Sequence, residues 1–331
     1  MGQTLSEPVV EKHSTSGGDN RFVYGASAMQ GWRITMEDAH TTILKLSNGS
    51  VEVAFFAVFD GHGGQNVAKF CGSNLHQIVA RTPEFKAGSF ADALKKGFLD
   101  ADVELRNDPN FAREPSGCTA VSVLITEDRI FVANAGDSRA VLSAGGRAQP
   151  LSYDHKPSNE KETARIIEAG GFVEFGRVNG NLALSRAIGD FEFKQSTDLA
   201  PEKQIVTASP DVEERPIATS EDEFIVLACD GIWDCMNNQE VVDFVSQKIY
   251  EKNELDKICE MLMDRCLAPD SEVCGVGCDN MTVVIVGLLH GRTKEQWQAD
   301  IKKRVEKQGG ISIPSELQRR GTDPMPSDGI N

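Results

Sequence analysis

The stretch "VEVAFFAVFDGHGG" (residues 51–64) runs a largely apolar segment into a carboxylate, Asp60, and an imidazole, His62, set among glycines. An apolar run of this length, bounded by turn residues, reads as a strand buried on both faces. Glycines suit the turn that follows, because they accept backbone conformations other residues avoid. A turn does not call for an acid and a base at the mouth of a buried strand. An isolated carboxylate there is costly unless it is paired or bound to a cation.

Other strand ends repeat the pattern. "FIVLACDGIWD" (224–234) meets Asp230 and Gly231, with Asp234 four residues on, and "CGVGCDNMTVVIVG" (274–287) puts Asp279 at the mouth of another apolar strand. "WRITMEDAH" (32–40) carries Glu37 and Asp38 within an expected strand, and "FVANAGDSRAV" (131–141) places Asp137 in an expected turn. Singly, each Asp has an ordinary reading as a turn residue bonding nearby amides. Together they form a set of hard oxygen ligands without Cys/His spacing, which points to magnesium or manganese rather than zinc. Two such ions bridged by one carboxylate would activate a water for attack on phosphorus.

Periodicity predicts strands from Phe22 to Val58, a helix over 65–80, and a second helix opening at Ser89 with Asp92 three residues on, a capping-box pattern. Leu94, Phe98, Ala101 and Leu105 fall on one face of that second helix. Residues 118–151 read as a meander with hairpin joints "EDR", "GDS" and "GGR". A short helix over 159–169 ends at Gly170-Gly171, and further strands are expected at 172–187, 204–217, 223–230 and 281–289. Helices are expected over 238–250, 254–267 and 293–308. The chain divides into a flexible polar segment (1–20), a catalytic domain (21–290), a C-terminal helix (291–308) and a flexible tail (309–331). Successive strands with paired helices, and no regular βαβ alternation, predict an α+β fold with largely antiparallel sheets.

With 50 acidic and 34 basic residues, a formal charge of −16 argues against nucleic acid as a partner, since phosphate neutralisation needs basic patches. No apolar run is long enough to span a membrane and no secretory leader is expected. Eight cysteines, scattered mostly through apolar segments, read as reduced thiols of a cytoplasmic or nuclear protein. Cys274 and Cys278 lack the second ligand pair that zinc needs. "MGQTLS" (1–6) fits N-myristoylation at Gly2, with Ser6 in the favoured place. One acyl chain anchors only weakly, and Glu7 and Glu11 supply the wrong charge to help it.

At this point "GWRITMEDAH", "FFAVFDGHGG", "SGCTAV", "VANAGDSRAV", "LALSRAIGD", "LACDGIWD" and "CDNMTVVIV" together resemble the metal-dependent protein serine/threonine phosphatases of the 2C type, over roughly residues 20–290. The motifs stand in the family's order, without departure at the positions that carry chemistry. The resemblance implies two stacked antiparallel β-sheets flanked by pairs of helices, an α-β-β-α sandwich with a metal cleft at one edge. It implies two tight Mg2+ or Mn2+ ions, with Asp60 bridging both, the Gly61 carbonyl on one, and Asp230 and Asp279 on the other. Glu37 and Asp38 would complete the cluster, partly through waters. Asp137 and Asp234, with Thr119 nearby, match a weaker third metal site. Arg33 would hold the substrate phosphate, and His62 would protonate the leaving serine or threonine oxygen. The expected partners are phosphoserine and phosphothreonine proteins, met by a monomeric enzyme and selected by surface grooves and the irregular 190–204 stretch.

Plainer readings cover other residues. "SRAIGD" (185–190) is expected to be structural, and Glu162 to lie on a solvated helix face. Cys259 and Arg265 have the C-x5-R spacing of cysteine phosphatases, but the stretch is helix-like, and Glu260 and Asp264 would repel phosphate. The alternative function is a pseudophosphatase that binds phosphoproteins without turnover, against which the filled acidic positions weigh.

Overall fold

The computed structural model describes residues 4–47, 52–111, 113–270, 275–307 and 309. Gly2, Cys274 and the tail from residue 310 lie outside them. In chain order come β1 (Thr4–Gly18), β2 (Phe22–Arg33), β3 (Ala39–Ser47), β4 (Glu52–Phe59) and β5 (Gly61–His62), then α1 (Asn66–Arg81), α2 (Pro83–Lys86) and α3 (Phe90–Asn107). Next are β6 (Gly117–Cys118), β7 (Ala120–Ile125), β8 (Arg129–Ala135), β9 (Arg139–Ala144) and β10 (Arg147–Pro150). After α4 (Glu160–Glu168) lie three short strands, β11 (Val173–Glu174), β12 (Arg177–Val178) and β13 (Ile188–Gly189). The chain continues through β14 (Asp211–Pro216), β15 (Asp222–Ala228), α5 (Asp230–Trp233), α6 (Asn238–Tyr250), α7 (Leu255–Cys266), β16 (Met281–Leu288) and α8 (Lys294–Lys307).

The unbroken apolar strands have a simple cause. Successive side chains of a strand point to opposite faces, and here both faces are covered. In β4, Ala54, Phe56 and Val58 pack between the two main sheets, while Phe55, Ala57 and Phe59 face α1 and α3. In β15, Ile225 and Leu227 take the inter-sheet side, while Phe224 and Val226 face α6 and α7. One sheet runs β1-β2-β16-β15-β9-β10 and the other β14-β8-β7-β4-β3, every pairing antiparallel. The result is the helix–sheet–sheet–helix sandwich that the motifs imply.

Several expectations need correction. Residues 4–18 are not a flexible lead but the edge strand β1, paired with β2 from Thr4↔Arg33 to Gly18↔Val23. An edge strand is held by main-chain bonds, which composition does not register. Polar ties add to them: Ser14 Oγ donates to Glu260 at 2.7 Å and Lys12 pairs with Asp264 at 2.6 Å. The 118–151 segment is not one meander. β7 and β8 belong to one sheet and β9 and β10 to the other, so Gly136–Ser138 crosses between sheets. Glu37 and Asp38 lie in the link between β2 and β3 rather than within a strand. Strand structure at 172–187 shrinks to a two-residue ladder, and at 204–217 to β14. Ser89 does start α3, but its hydroxyl donates to Asp92 at 2.7 Å instead of accepting a backbone amide. Among the described residues, no helix is long and apolar enough to cross a membrane.

Glu162 is the sharpest departure from expectation. It is 2% exposed, and its carboxylate takes Arg165 at 2.6 Å, Arg186 at 2.7 Å and the Ser185 hydroxyl at 2.8 Å. Arg186 goes on to Asp211 at 2.7 Å, and Asp211 also meets His155 at 3.1 Å. This network fastens α4 to the body of the protein.

Candidate metal centre

The acids singled out in the sequence meet at one end of the sandwich because the strands that carry them end there. Asp60 directly follows β4, Asp230 lies two residues past the end of β15 at the start of α5, Asp137 sits in the turn after β8, and Asp279 lies two residues before β16. They line a cleft of about 820 Å³ together with Arg33, Glu37 and His62. Asp60 is held by its backbone. The Thr119 amide donates to the Asp60 carbonyl at 2.9 Å, and the Asp60 amide donates to the Thr119 hydroxyl at 3.3 Å. Gly61 has to be glycine, since a Cβ there would lie 2.3 Å from the Glu37 carbonyl oxygen.

Oxygens of Asp60, Asp137 and Asp230 lie within 4.8 Å of one another, and ligand atoms of Asp38, Asp60 and Cys229 form a second such group. Asp137 therefore stands with Asp60 and Asp230 rather than apart, while the neighbouring Asp234 is exposed. Asp279 borders the group, its carboxylate paired with Arg33 and accepting the Asn280 amide at 2.7 Å. Asn280 also pins the loop that carries the acids: its side chain accepts from the Glu37 amide at 2.9 Å and donates to the carbonyls of Gln30 and Thr35. Glu37 turns its own carboxylate to the Thr35 hydroxyl at 2.8 Å and the Gly64 amide at 3.1 Å.

These carboxylates repel one another. Burial pushes Asp60 well above the usual range, and Asp230, Asp38, Asp279 and Asp137 push it further. Asp230 is raised in the same way, by burial and then by Asp137. Burial lifts Asp38 to about 7, reinforced by Asp279 and opposed by the Thr282 hydroxyl. Burial also raises Asp137 and Asp279, and partial burial of the carboxyl raises Asp234 although the residue as a whole is exposed; Lys156 opposes the shift for Asp137 and Asp234, and Arg33 for Asp279. One oxygen of Asp38, Oδ1, is buried with no hydrogen-bond partner. An anionic oxygen so placed is what a bound cation would satisfy. Burial drives the Cys229 thiol well above its ordinary range, and the other donors of the two groups are carboxylate oxygens, which suit a hard divalent ion.

His62 stands beside this group, and nothing in its local sequence announces its partner. Its Nε2 meets Asp190 Oδ2 at 2.7 Å, while Nδ1 has no hydrogen bond. Burial opposes the imidazolium, but the Asp190 carboxylate outweighs it and raises the His62 pKa above its ordinary value. Lys156, ion-paired to Asp137, is the other unanticipated group. The one usable signal was "GD" closing a motif shared with known phosphatases, and it says nothing about which histidine lies 128 positions away. The C-x5-R pair lies in helix α7 with Cys259 fully buried, which rules out a phosphate-cradling loop.

A carboxylate cluster suited to hard divalent ions, at the edge of a two-sheet sandwich, is an arrangement fit for metal-dependent hydrolysis. The family model for protein phosphatase 2C matches residues 22–275, and the chain belongs to that family of protein serine/threonine phosphatases. It is 60% identical over 323 residues to "Protein phosphatase 2C homolog 2" of Hypocrea jecorina, covering 96% of this chain and 74% of the relative. It is 55% identical over 326 residues to the protein of the same name from Schizosaccharomyces pombe, covering 97% and 88%. Among solved structures, a phosphatase from a pathogenic strain of Toxoplasma gondii superposes with a TM-score of 0.73 at 28% identity, covering 86% of this chain and 97% of that one.

Proposed function

We propose that this cleft hydrolyses phosphoserine and phosphothreonine in proteins, with Asp60, the Gly61 carbonyl, Asp230 and Asp279 holding two magnesium or manganese ions. Glu37 and Asp38 complete the site from the β2–β3 link, and Asp137 and Asp234 hold a third, weaker ion. The observation that carries this reading is the cluster of mutually destabilising acids around a buried oxygen of Asp38 that has no partner. When bound, such ions supply a water of lowered pKa and neutralise phosphoryl charge. Arg33, partly exposed at the cleft, offers its remaining guanidinium donors to the phosphate. His62 donates a proton to the leaving oxygen, its ring oriented by the contact between Nε2 and Asp190. The Asp190 carboxylate favours the imidazolium and raises the His62 pKa above its ordinary value. Reduced thiols agree with a cytoplasmic or nuclear enzyme, and the complete acid set weighs against a binding module without turnover.

A change of leaving group tests the assignment of His62. A serine alkoxide leaves poorly without a proton, whereas nitrophenolate departs largely unaided. His62→Gln should lower kcat on a phosphothreonine peptide by roughly 10²–10⁴-fold and on p-nitrophenyl phosphate far less. Equal losses on both substrates, with metal binding intact, would remove His62 from the acid role.

A further inference from the structure

The contact between His62 and Asp190 depends on a small three-stranded sheet. β6 lies between β5 and β13, with His62 opposite Gly117 and Gly117 opposite Gly189. Asp190 follows in a left-handed conformation, φ +49°, uncommon for a residue with a side chain. Its carboxylate lies over Gly117 so closely that a Cβ there would stand 2.3 Å from Oδ2. This turn needs something to hold it.

Asp102, on α3, reaches in from the helix layer. Its Oδ1 accepts the Gly189 amide at 2.8 Å, and its other oxygen is ion-paired with Lys194. The Lys194 ammonium also donates to the Ala187 carbonyl at 2.8 Å, and its side chain is 3% exposed. One buried pair thus grips the backbone at Ala187 and Gly189, just ahead of Asp190. The 190–204 stretch is anchored in the interior at this point, not wholly given over to surface contacts. A buried ion pair adds little net stability over an apolar pair of similar size. Stability alone therefore does not account for it.

We propose that Asp102 and Lys194 are positioning residues for proton donation. They fix the turn that aims Asp190 at His62, although neither lines the cleft. The inference rests on the reading of His62 as the acid.

The test compares two double variants that both remove the buried charges. Asp102→Asn/Lys194→Met keeps an acceptor for the Gly189 amide, and Asp102→Leu/Lys194→Met does not. With saturating manganese, the leucine form should lose about tenfold or more in kcat on a phosphothreonine peptide. It should stay within about twofold on p-nitrophenyl phosphate, with KM and manganese calorimetry unchanged. The asparagine form, which still accepts the Gly189 amide but has lost the Lys194 bond to the Ala187 carbonyl, should fall between the leucine form and the wild type. Combined with His62→Gln, the leucine form should add no further loss, because both changes remove one function. Losses that are equal on the two substrates, or that add to those of His62→Gln, overturn the proposal. If the leucine form fails to fold, Asp102→Ala/Lys194→Met is put through the same comparison. If His62→Gln alone slows both substrates equally, the acid reading fails and this inference falls with it. If His62→Gln separates the substrates and the leucine form does not, only the positioning role fails.

Discussion

Asp38 and Glu162 are both buried carboxylates, 8% and 2% exposed, yet their surroundings drive their titration in opposite directions. Around Asp38 the neighbours are further acids, and burial lifts it to about 7. Around Glu162 burial acts in the same sense, but Arg186 and Arg165 outweigh it and hold the group at about 2. Asp211, in the same network, is held well below the usual range by its bond to His155 and by Arg186. One set of acids is fully matched by cations of the chain, while the other, with only Lys156 and Arg33 beside it, keeps an excess of negative charge that bound cations would offset. Satisfied buried acids belong to the architecture, while unsatisfied ones concentrated at a cleft belong to the chemistry.

The largest expected effect breaks the unsatisfied set at its centre. Asp60→Asn should lower turnover by roughly 10³-fold or more and abolish tight divalent binding in calorimetry, because the amide bridges poorly and removes charge. The same change should raise the melting temperature of the metal-free protein, since one of several repelling carboxylates is gone. Near-native turnover in folded Asp60→Asn protein would defeat the two-ion reading.

The satisfied set should answer in stability instead. Glu162→Gln leaves two arginines facing a neutral group, and breaking a buried pair in this way costs about 3–5 kcal/mol. Urea unfolding should show that loss, while kcat per folded molecule changes little. A loss under about 1 kcal/mol would mean that solvent reaches the network and compensates it.

How much of this contrast was legible depends on the kind of signal each residue left. Asp60, Asp230 and Asp279 announced themselves because an acid at the end of an apolar strand conflicts with its surroundings. Glu162 left no such conflict, sitting among charges in "SNEKETARIIE" (158–168), where a solvated face is the ordinary reading. Its spacing to Ile166, four residues on and fully buried, was the available hint. The strand β1 was missed because main-chain pairing does not require apolar side chains. Gly136–Ser138 looked like a hairpin turn because local sequence does not distinguish a hairpin from a crossover between stacked sheets. Asp190 needed the β5-β6-β13 register, which joins segments far apart in the chain.

The same comparison can be read along the pH axis. The cleft acids have raised folded-state values, so between the unfolded carboxylate range near pH 4 and their own range the folded state binds more protons than the unfolded one. Metal-free protein should therefore lose stability as pH rises, with Asp38, lifted to about 7, alone contributing on the order of 2 kcal/mol from about pH 5.5 to about pH 8. Excess magnesium or manganese should flatten that slope. Glu162 works in the other direction. Its contribution is complete above about pH 4.5 and disappears as pH falls through about 2. Chemical denaturation across pH, with and without EDTA, separates the two. A metal-free protein as stable at the upper end as at the lower would mean that the cleft acids are compensated after all.

The smallest effect concerns the arginines that serve the two regions. Arg186 is committed: its side chain is 13% exposed and shared between Glu162 and Asp211. Arg33 is 39% exposed and spends one amino group on Asp279, leaving donors that a phosphate could take at the cleft. If that is its task, Arg33→Ala should raise KM for phosphopeptides about five- to tenfold and lower kcat by less, as expected for lost ground-state binding. Arg33→Lys should fall between, since a point charge replaces a planar fork that can engage two oxygens. Manganese calorimetry should barely change, because Asp279 still accepts the Asn280 amide and keeps its place at the edge of the cluster. If KM stays the same for both a phosphopeptide and p-nitrophenyl phosphate, Arg33 is a counter-charge for Asp279 alone. It would then belong with Arg186 among the structural cations, and recognition of phosphate would pass to Arg177, a second arginine of the cleft wall, on β12.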